Sequence, residues 1–288
     1  MEREARDTLN RLHPLLFQEI VDRALLEDIG RGDLSAEATL PVDRTARGKI
    51  VAKAPGRIAG LDVAAYAFHR IDPGLELEHV VQDGDAVGAG DEVLRIRGSA
   101  RSILTAERVA LNFLQRLSGI ATETAKAVQA AQGTKAIIVD TRKTTPGLRV
   151  LEKYAVRVGG GRNHRFGLDD AVLIKENHIA VAGGITNAVR AARAHIGHMH
   201  KIEVEVTTLA QVEEAVAAGA DAILLDNMDL ETMAAAVQIA KGRAIVEASG
   251  GIRPETVAQV AKTGVDVISL GWITHSAPAL DLSLLVTL

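Results

Sequence analysis

Residues 202–271, IEVEVTTLAQVEEAVAAGADAILLDNMDLETMAAAVQIAKGRAIVEASGGIRPETVAQVAKTGVDVISLG, alternate short apolar runs with alanine-rich amphipathic stretches. The runs IEVEV (202–206), AILLD (222–226), AIVEAS (244–249) and VDVISL (265–270) begin roughly 20 residues apart, the length of one strand, one helix and two loops. Their apolar density fits parallel strands buried on both faces. AIIVD (136–140) and AVLIK (171–175) extend the pattern back to about residue 134. Such alternation implies either a doubly wound sheet or an α/β barrel. The strand ends favour the barrel. Asp140, Lys175, Glu205, Asp226, Ser249 and Gly271 all stand at or just after the ends of these runs, where barrel enzymes keep their chemistry. A dinucleotide-binding sheet would concentrate its signal in one early glycine-rich turn. The stretch GGGRNHRFG (159–167) has neither a clear strand before it nor a helix opening on it.

The chain before this region has a different texture. Residues 15–28 repeat apolar positions at helical spacing. Residues 48–98 read as short strands punctuated by glycine. Residues 103–130 read as a long helix with Leu104, Val109, Leu111, Leu114 and Leu117 near one stripe, open to interruption at Gly119. The organisation expected is an N-terminal α/β sandwich-like domain over 1–115, then an irregular, about seven-stranded α/β barrel over 116–274. The tail 275–288 is expected to return to the first domain.

Composition narrows the function. Of 288 residues, 47% are hydrophobic and only 2% aromatic, so a base-stacking platform is not expected. A net charge of −4 gives no global field for nucleic acid. Any anionic ligand must be held by a local basic cluster. The absence of cysteine removes disulfides, thiol nucleophiles and thiolate-bound zinc together. The charged opening MEREARDTLNRLHPLL carries no leader-like apolar core, and no run approaches a membrane span. The expected setting is cytoplasmic, without membrane or nucleic-acid partners.

A basic cluster is present. Arg142, Lys143, His164, Arg165 and Lys175 occupy glycine-rich or strand-end settings, and Arg108 lies on the long helix. Together they describe an anion-binding bowl. Lys175 closes an apolar run, where a lysine is expected to have a partner. Glu205 and Asp226 end consecutive strands and suit a metal, a sugar hydroxyl or a developing cation, or ion pairs with Lys175 and its neighbours. Glu203 shares the face of Glu205 two residues earlier and carries less weight. EASGGI (247–252) and SLGWI (269–273) each follow a strand, the first preceding a helix whose opening turn contains Pro254 and Glu255. Their glycines let backbone N–H groups approach phosphate. His195, His198 and His200 read as a polar loop. DGDAVGAGDEVLRI reads as a small β fold without a carrier lysine.

DTRKTTPGLR (140–149) and EKYAVRVGGGRNHRFGLDDAVLIKENHI (152–179) resemble the signature of the quinolinate phosphoribosyltransferase family. EDIGRGDLS (27–35), AERVALNFLQRLSGIAT (106–122), IEVEV, ILLDN, EASGGI and LGWITHSAPALDLSL carry the resemblance along almost the whole chain. It implies transfer of a phosphoribosyl group from phosphoribosyl pyrophosphate to quinolinate with decarboxylation, with Mg²⁺ and no organic cofactor, by a homodimer or larger assembly sharing its active sites. The resemblance places Arg108, Arg142, His164, Arg165 and Lys175 around the quinolinate carboxylates, and Lys143 between quinolinate and pyrophosphate. It places Glu205 and Asp226 at the ribose and its metal, and Ser249, Gly250, Gly251, Leu270 and Gly271 around the 5′-phosphate. Lys143, Lys175, Glu205 and Asp226 are the expected catalytic groups. The rival readings are a related transferase acting on another base, such as the molybdenum-transport-associated relative, a Schiff-base aldolase using Lys175, and a ligand-binding barrel.

Overall fold

The computed structural model describes residues 12–288. The charged N-terminal run expected to lack a leader therefore falls largely outside the described residues. Two compact units form. One comprises residues up to 125 together with 144–160 and 273–288; the other comprises 126–143 and 161–272.

In the first unit, five strands come before the long helix: β1 (Thr45–Ala52), β2 (Gly56–Arg57), β3 (Glu76–His79), β4 (Ala86–Val87) and β5 (Glu92–Ser99). A helix, Leu61–Ile71, interrupts the glycine-punctuated strands. Its first N–H groups point at a buried carboxylate. Gly60 and Leu61 donate to Asp83 at 2.8 and 3.0 Å, and Tyr154 Oη donates to the same group. Burial drives the Asp83 pKa upward against these bonds.

The long helix runs unbroken over Ala100–Ala130. Gly119 does not interrupt it, because its role is close approach. A Cβ there would lie 2.0 Å from the Pro278 carbonyl oxygen. The apolar stripe also differs in one place. Val109, Leu111, Leu114 and Leu117 are buried, but Leu104 is exposed and the neighbouring Ile103 takes the inward position. Segment 144–160 belongs to this unit through Glu152, which is fully buried and receives the Arg116 guanidinium at 2.8 Å and Thr145 Oγ1 at 2.7 Å. Arg116 also donates to the carbonyls of Ala277 and Thr274.

The second unit is built on β6 (Ile137–Val139), β7 (Val172–Ile174), β8 (Ile202–Val206), β9 (Ala222–Asp226), β10 (Ile245–Ser249) and β11 (Val267–Ser269). All pair in parallel, in the order β6-β11-β10-β9-β8-β7. From β7 to β11 consecutive strands lie side by side, and β6 pairs with the last of them, which is barrel order; a doubly wound sheet reverses its strand order midway. Beyond β6, Arg162 makes a single parallel bridge to Val139, with its N–H donating to Ile138 O at 2.8 Å. The sheet thus has six strands, and this one-residue bridge occupies a seventh position. Helices Glu176–Ala182 and Ile185–His195 both follow β7, and Leu209–Ala217, Leu230–Ala240 and Val257–Lys262 follow β8, β9 and β10. Thr208 and Asp229 cap two of them by accepting N–H groups three residues on.

The tail forms β12 (Leu282–Thr287), antiparallel to β1, and completes a first-unit sheet of order β12-β1-β5-β3. No helix among the described residues is long and apolar enough to cross a membrane.

Candidate active site

Parallel register decides which side chains share a face. Glu203 and Glu205 on β8 pair with Ala222 and Leu224 on β9. Leu224 and Asp226 pair with Glu247 and Ser249 on β10, and Glu247 pairs with Val267 on β11. On the other side Leu173 pairs with Glu203. Side chains alternate along each strand, so Glu203, Glu205, Asp226, Glu247, Ser249 and Ser269 all project from one face. Lys175 continues the same alternation one residue past β7. Because the strands are parallel, Asp140, Lys175, Asp226 and Ser249 all mark the same end of the sheet.

At that end the Lys175 ammonium donates to Glu205 Oε2. Lys175 therefore has the partner expected of it, but not the expected burial: its side chain is 48% exposed, against 19% for Glu205. The short strand stops at Ile174 and leaves Lys175 outside the core. Its backbone N–H donates to His178 Nδ1 at 3.0 Å, which sets the turn into the following helix.

Arg165 is half-buried and its Nη1 donates to Ala171 O at 3.0 Å. Burial pulls its pKa down, and repulsion from the Arg142 guanidinium adds to that. The charges of Glu203 and Asp170 act in the opposite direction. Lys143, exposed beside Arg142, is positioned by its N–H donating to Thr141 Oγ1 at 3.0 Å. Arg108 lies in the first unit on the long helix, with 60% of its side chain exposed.

His164 has both ring nitrogens engaged. Its Nδ1 accepts the Arg165 N–H at 2.7 Å, and its Nε2 lies 3.0 Å from Glu203 Oε2 and 3.6 Å from Glu247 Oε1. Asp140 is fully buried and accepts the His164 N–H at 2.9 Å and Asn163 Nδ2 at 2.6 Å. Burial, followed by the Glu203 charge, pushes the Glu247 carboxyl up to about 7. Its Oε1 is buried without a hydrogen-bond partner, as a neutral acid tolerates better than a carboxylate. His164, Glu203 and Glu247 offer ligand atoms within 4.8 Å of one another. This trio, rather than the exposed His195, His198 and His200, is the metal-like cluster among the described residues. Glu247 was not singled out by sequence reasoning beyond its place in EASGGI. The signal available was its i, i+2 relation to Ser249, matching that of Glu203 to Glu205.

The glycine loop after β10 has consecutive left-handed residues, Gly250 at φ +84° and Gly251 at φ +59°. A Cβ at Gly250 would meet the Asn227 side chain at 2.5 Å. Asn227 itself has φ 53° and donates its N–H to Ser249 O at 3.1 Å. Left-handed glycines that turn backbone N–H groups into a concavity suit phosphate. Pro254 and Glu255 lie in a turn, and the helix begins only at Val257 with six residues. The anion-binding character therefore rests on the loop. Trp272 Nε1 donates to Ile252 O at 2.9 Å and ties the second glycine loop to the first. Leu270 is buried and gives its N–H to Val139 O, so that N–H is taken by the sheet.

The profile described as quinolinate phosphoribosyl transferase, C-terminal domain, matches residues 120–285, and the corresponding N-terminal domain matches 33–118. The chain is 44% identical over 277 residues to a probable nicotinate-nucleotide pyrophosphorylase (carboxylating) of Bacillus subtilis, covering 96% of both. It is 43% identical to the chloroplastic nicotinate-nucleotide pyrophosphorylase (carboxylating) of Oryza sativa, covering 94% of this chain and 78% of that one. The crystal structure of NadC from Streptococcus pyogenes superposes with a TM-score of 0.93 at 45% identity, over 96% of this chain and 98% of that one.

Proposed function

The chain belongs to the quinolinate phosphoribosyl transferase family, and from that premise we infer that it converts quinolinate and phosphoribosyl pyrophosphate to nicotinate mononucleotide, pyrophosphate and CO₂, a step of NAD synthesis. One observation carries the reading at the level of the site. Arg142 follows Asp140 at the sheet end that also carries the Lys175–Glu205 pair, Asp226 and the left-handed glycine loop, and its charge acts on the half-buried Arg165. A dicarboxylate and a phosphorylated sugar are the ligands such an end accommodates in a chain of net charge −4.

Arg142, Arg165 and Lys175 face the two carboxylates of the pyridine ring, and His164 stands behind Arg165 with both of its ring nitrogens already engaged. Ser249, Gly250, Gly251 and the loop of Leu270 and Gly271 surround the 5′-phosphate. The ring nitrogen attacks the anomeric carbon, the C–O bond to pyrophosphate breaks, and positive charge spreads over the ribose. Glu205 and Asp226 stabilise that charge. Lys143 meets the departing pyrophosphate. The nitrogen is then quaternary, so the bond from C2 to its carboxylate can break with the electron pair left beside a cation, and C2 takes up a proton. Glu205 and Asp226 are carboxylates at strand ends, the oxygen donors that Mg²⁺ takes. Bound there with the sugar donor's phosphates, the ion supplies charge neutralisation to the leaving group.

The assembly we propose is a homodimer or larger, working in the cytoplasm. Arg108 lies on the exposed side of the long helix, in the first unit, and we assign it to the site of a second copy. The test of the function is direct. The pure protein with Mg²⁺, phosphoribosyl pyrophosphate and quinolinate should yield nicotinate mononucleotide and CO₂ in equal amounts. Equal activity with nicotinate, which lacks the 2-carboxylate, would sink the assignment.

A further inference from the structure

We propose that Glu203 is a positioning residue: through the His164 ring it holds the loop that presents the Arg165 guanidinium to a substrate carboxylate. The ligand named here rests on the function proposed above; the positioning itself rests on geometry.

Residues 161–167 form no regular element beyond the bridge at Arg162, yet Arg165 must hold one orientation to grip a planar carboxylate. Asp140 fixes the backbone at His164 and the side chain of Asn163. The last link is the imidazole. The Arg165 backbone N–H donates into Nδ1 at 2.7 Å. A nitrogen that accepts cannot carry the proton, so the ring proton sits on Nε2, aimed at Glu203 Oε2 3.0 Å away. Glu247 borders both partners from β10, 3.6 Å from Nε2. The order of support therefore runs from the Glu203 carboxylate to the ring and from the ring to the main chain of Arg165. The Glu203–His164 link spans 39 residues of sequence, so it ties this loop to β8.

The same tautomer separates this reading from a metal centre. The three groups are near enough to share an ion. With the backbone N–H on Nδ1, however, Nε2 could offer a lone pair only if the ring lost both protons, which a neutral imidazole does not do. The cluster is arranged to donate a hydrogen bond.

The experiment has two arms. In the first, steady-state kinetics compare Glu203→Ala, Glu203→Gln, His164→Ala and the Glu203→Ala/His164→Ala double variant. Loss of the carboxylate should raise KM for quinolinate roughly tenfold or more, the scale of one charge-assisted bond. KM for phosphoribosyl pyrophosphate should stay within about twofold, since the phosphate loop is held separately. Glu203→Gln keeps an acceptor oxygen and should recover most of the loss. The double variant should be no worse than His164→Ala. Additive effects, or an equal rise in both KM values, would overturn the positioning role. In the second arm, ¹⁵N NMR of the wild-type imidazoles, assigned with His164→Gln, reads the tautomer without substrate. Protonated Nε2 with unprotonated Nδ1 supports the proposal; the opposite tautomer overturns it. Wild-type protein that makes no nicotinate mononucleotide would instead overturn the substrate reading, and this second arm would then decide the positioning.

Discussion

Gly250→Ala isolates the backbone geometry of the phosphate loop. At φ +84°, an alanine would occupy a left-handed conformation that costs an L-residue about 1–2 kcal/mol. The new Cβ would also lie 2.5, 2.6 and 2.8 Å from Oδ1, Cγ and Nδ2 of Asn227. For those atoms to move aside, the exposed bond from Asn227 Nδ2 to Asp226 Oδ2, 3.0 Å long, must be given up, at about 0.5–1.5 kcal/mol. Gly251→Ala provides the internal control. It shares the left-handed backbone, at φ +59°, but its Cβ would come no nearer than 3.5 Å to Asn227. Chemical denaturation should therefore place Gly250→Ala about 0.5–1.5 kcal/mol below Gly251→Ala. Adding Asn227→Gly should remove that difference, since it deletes the obstructing side chain and suits the φ of 53° at that position. In kinetics, Gly250→Ala should raise KM for phosphoribosyl pyrophosphate more than KM for quinolinate. Equal stabilities of the two alanine variants, within about 0.5 kcal/mol, would refute the claim that the loop is shaped by Gly250 lying against Asn227.

Further expectations concern charge. Glu247 has a folded-state pKa of about 7 against 4.5 in the open chain, so the stability associated with its neutral form is complete below 4.5 and is lost as pH rises through 7. A shift of that size corresponds to roughly 3 kcal/mol, and Glu247→Gln should flatten the fall in Tm between pH 5 and pH 8; parallel profiles for variant and wild type would refute it. Arg165→Ala should raise KM for quinolinate by a factor equivalent to about 1.5–3 kcal/mol while the protein stays folded, and Arg165→Lys should not restore it, because a point charge cannot make the two-pronged contact. Mixing inactive Arg108→Ala with inactive Lys175→Ala after unfolding and reassembly should recover about a quarter of the sites if Arg108 acts across a two-fold interface. No recovery, with mixed dimers demonstrated, would place Arg108 elsewhere.

Much of this was legible in the chain itself. A two-residue alternation within an apolar run puts Glu203 with Glu205 on one face wherever that strand lies. The repeat of strand and helix lengths requires parallel strands, and a parallel sheet carries all its strand ends on one side. Asp140, Lys175, Asp226 and Ser249 could therefore be gathered before any coordinate was known. Glycine pairs after a strand mark a backbone that must turn left-handed, as Gly250 and Gly251 do. These are properties of neighbouring residues, and neighbouring residues are what a sequence records.

The tertiary structure decided matters that depend on distant partners. Gly119 reads as a break in a helix, yet the helix continues, because the partner it makes room for is Pro278, far along the chain. Lys175 reads as buried from its apolar run, but the strand ends one residue earlier and its ammonium reaches Glu205 half-exposed. Residues 144–160 sit between two strands of the second unit and fold with the first, where the buried Glu152 takes Arg116 as its partner and is not left as an unpaired charge. The direction of the His164 ring follows from a backbone N–H on one side and two carboxylates from different strands on the other. Periodicity places a side chain on a face; only packing and hydrogen-bond satisfaction in the folded chain determine which atom it meets there.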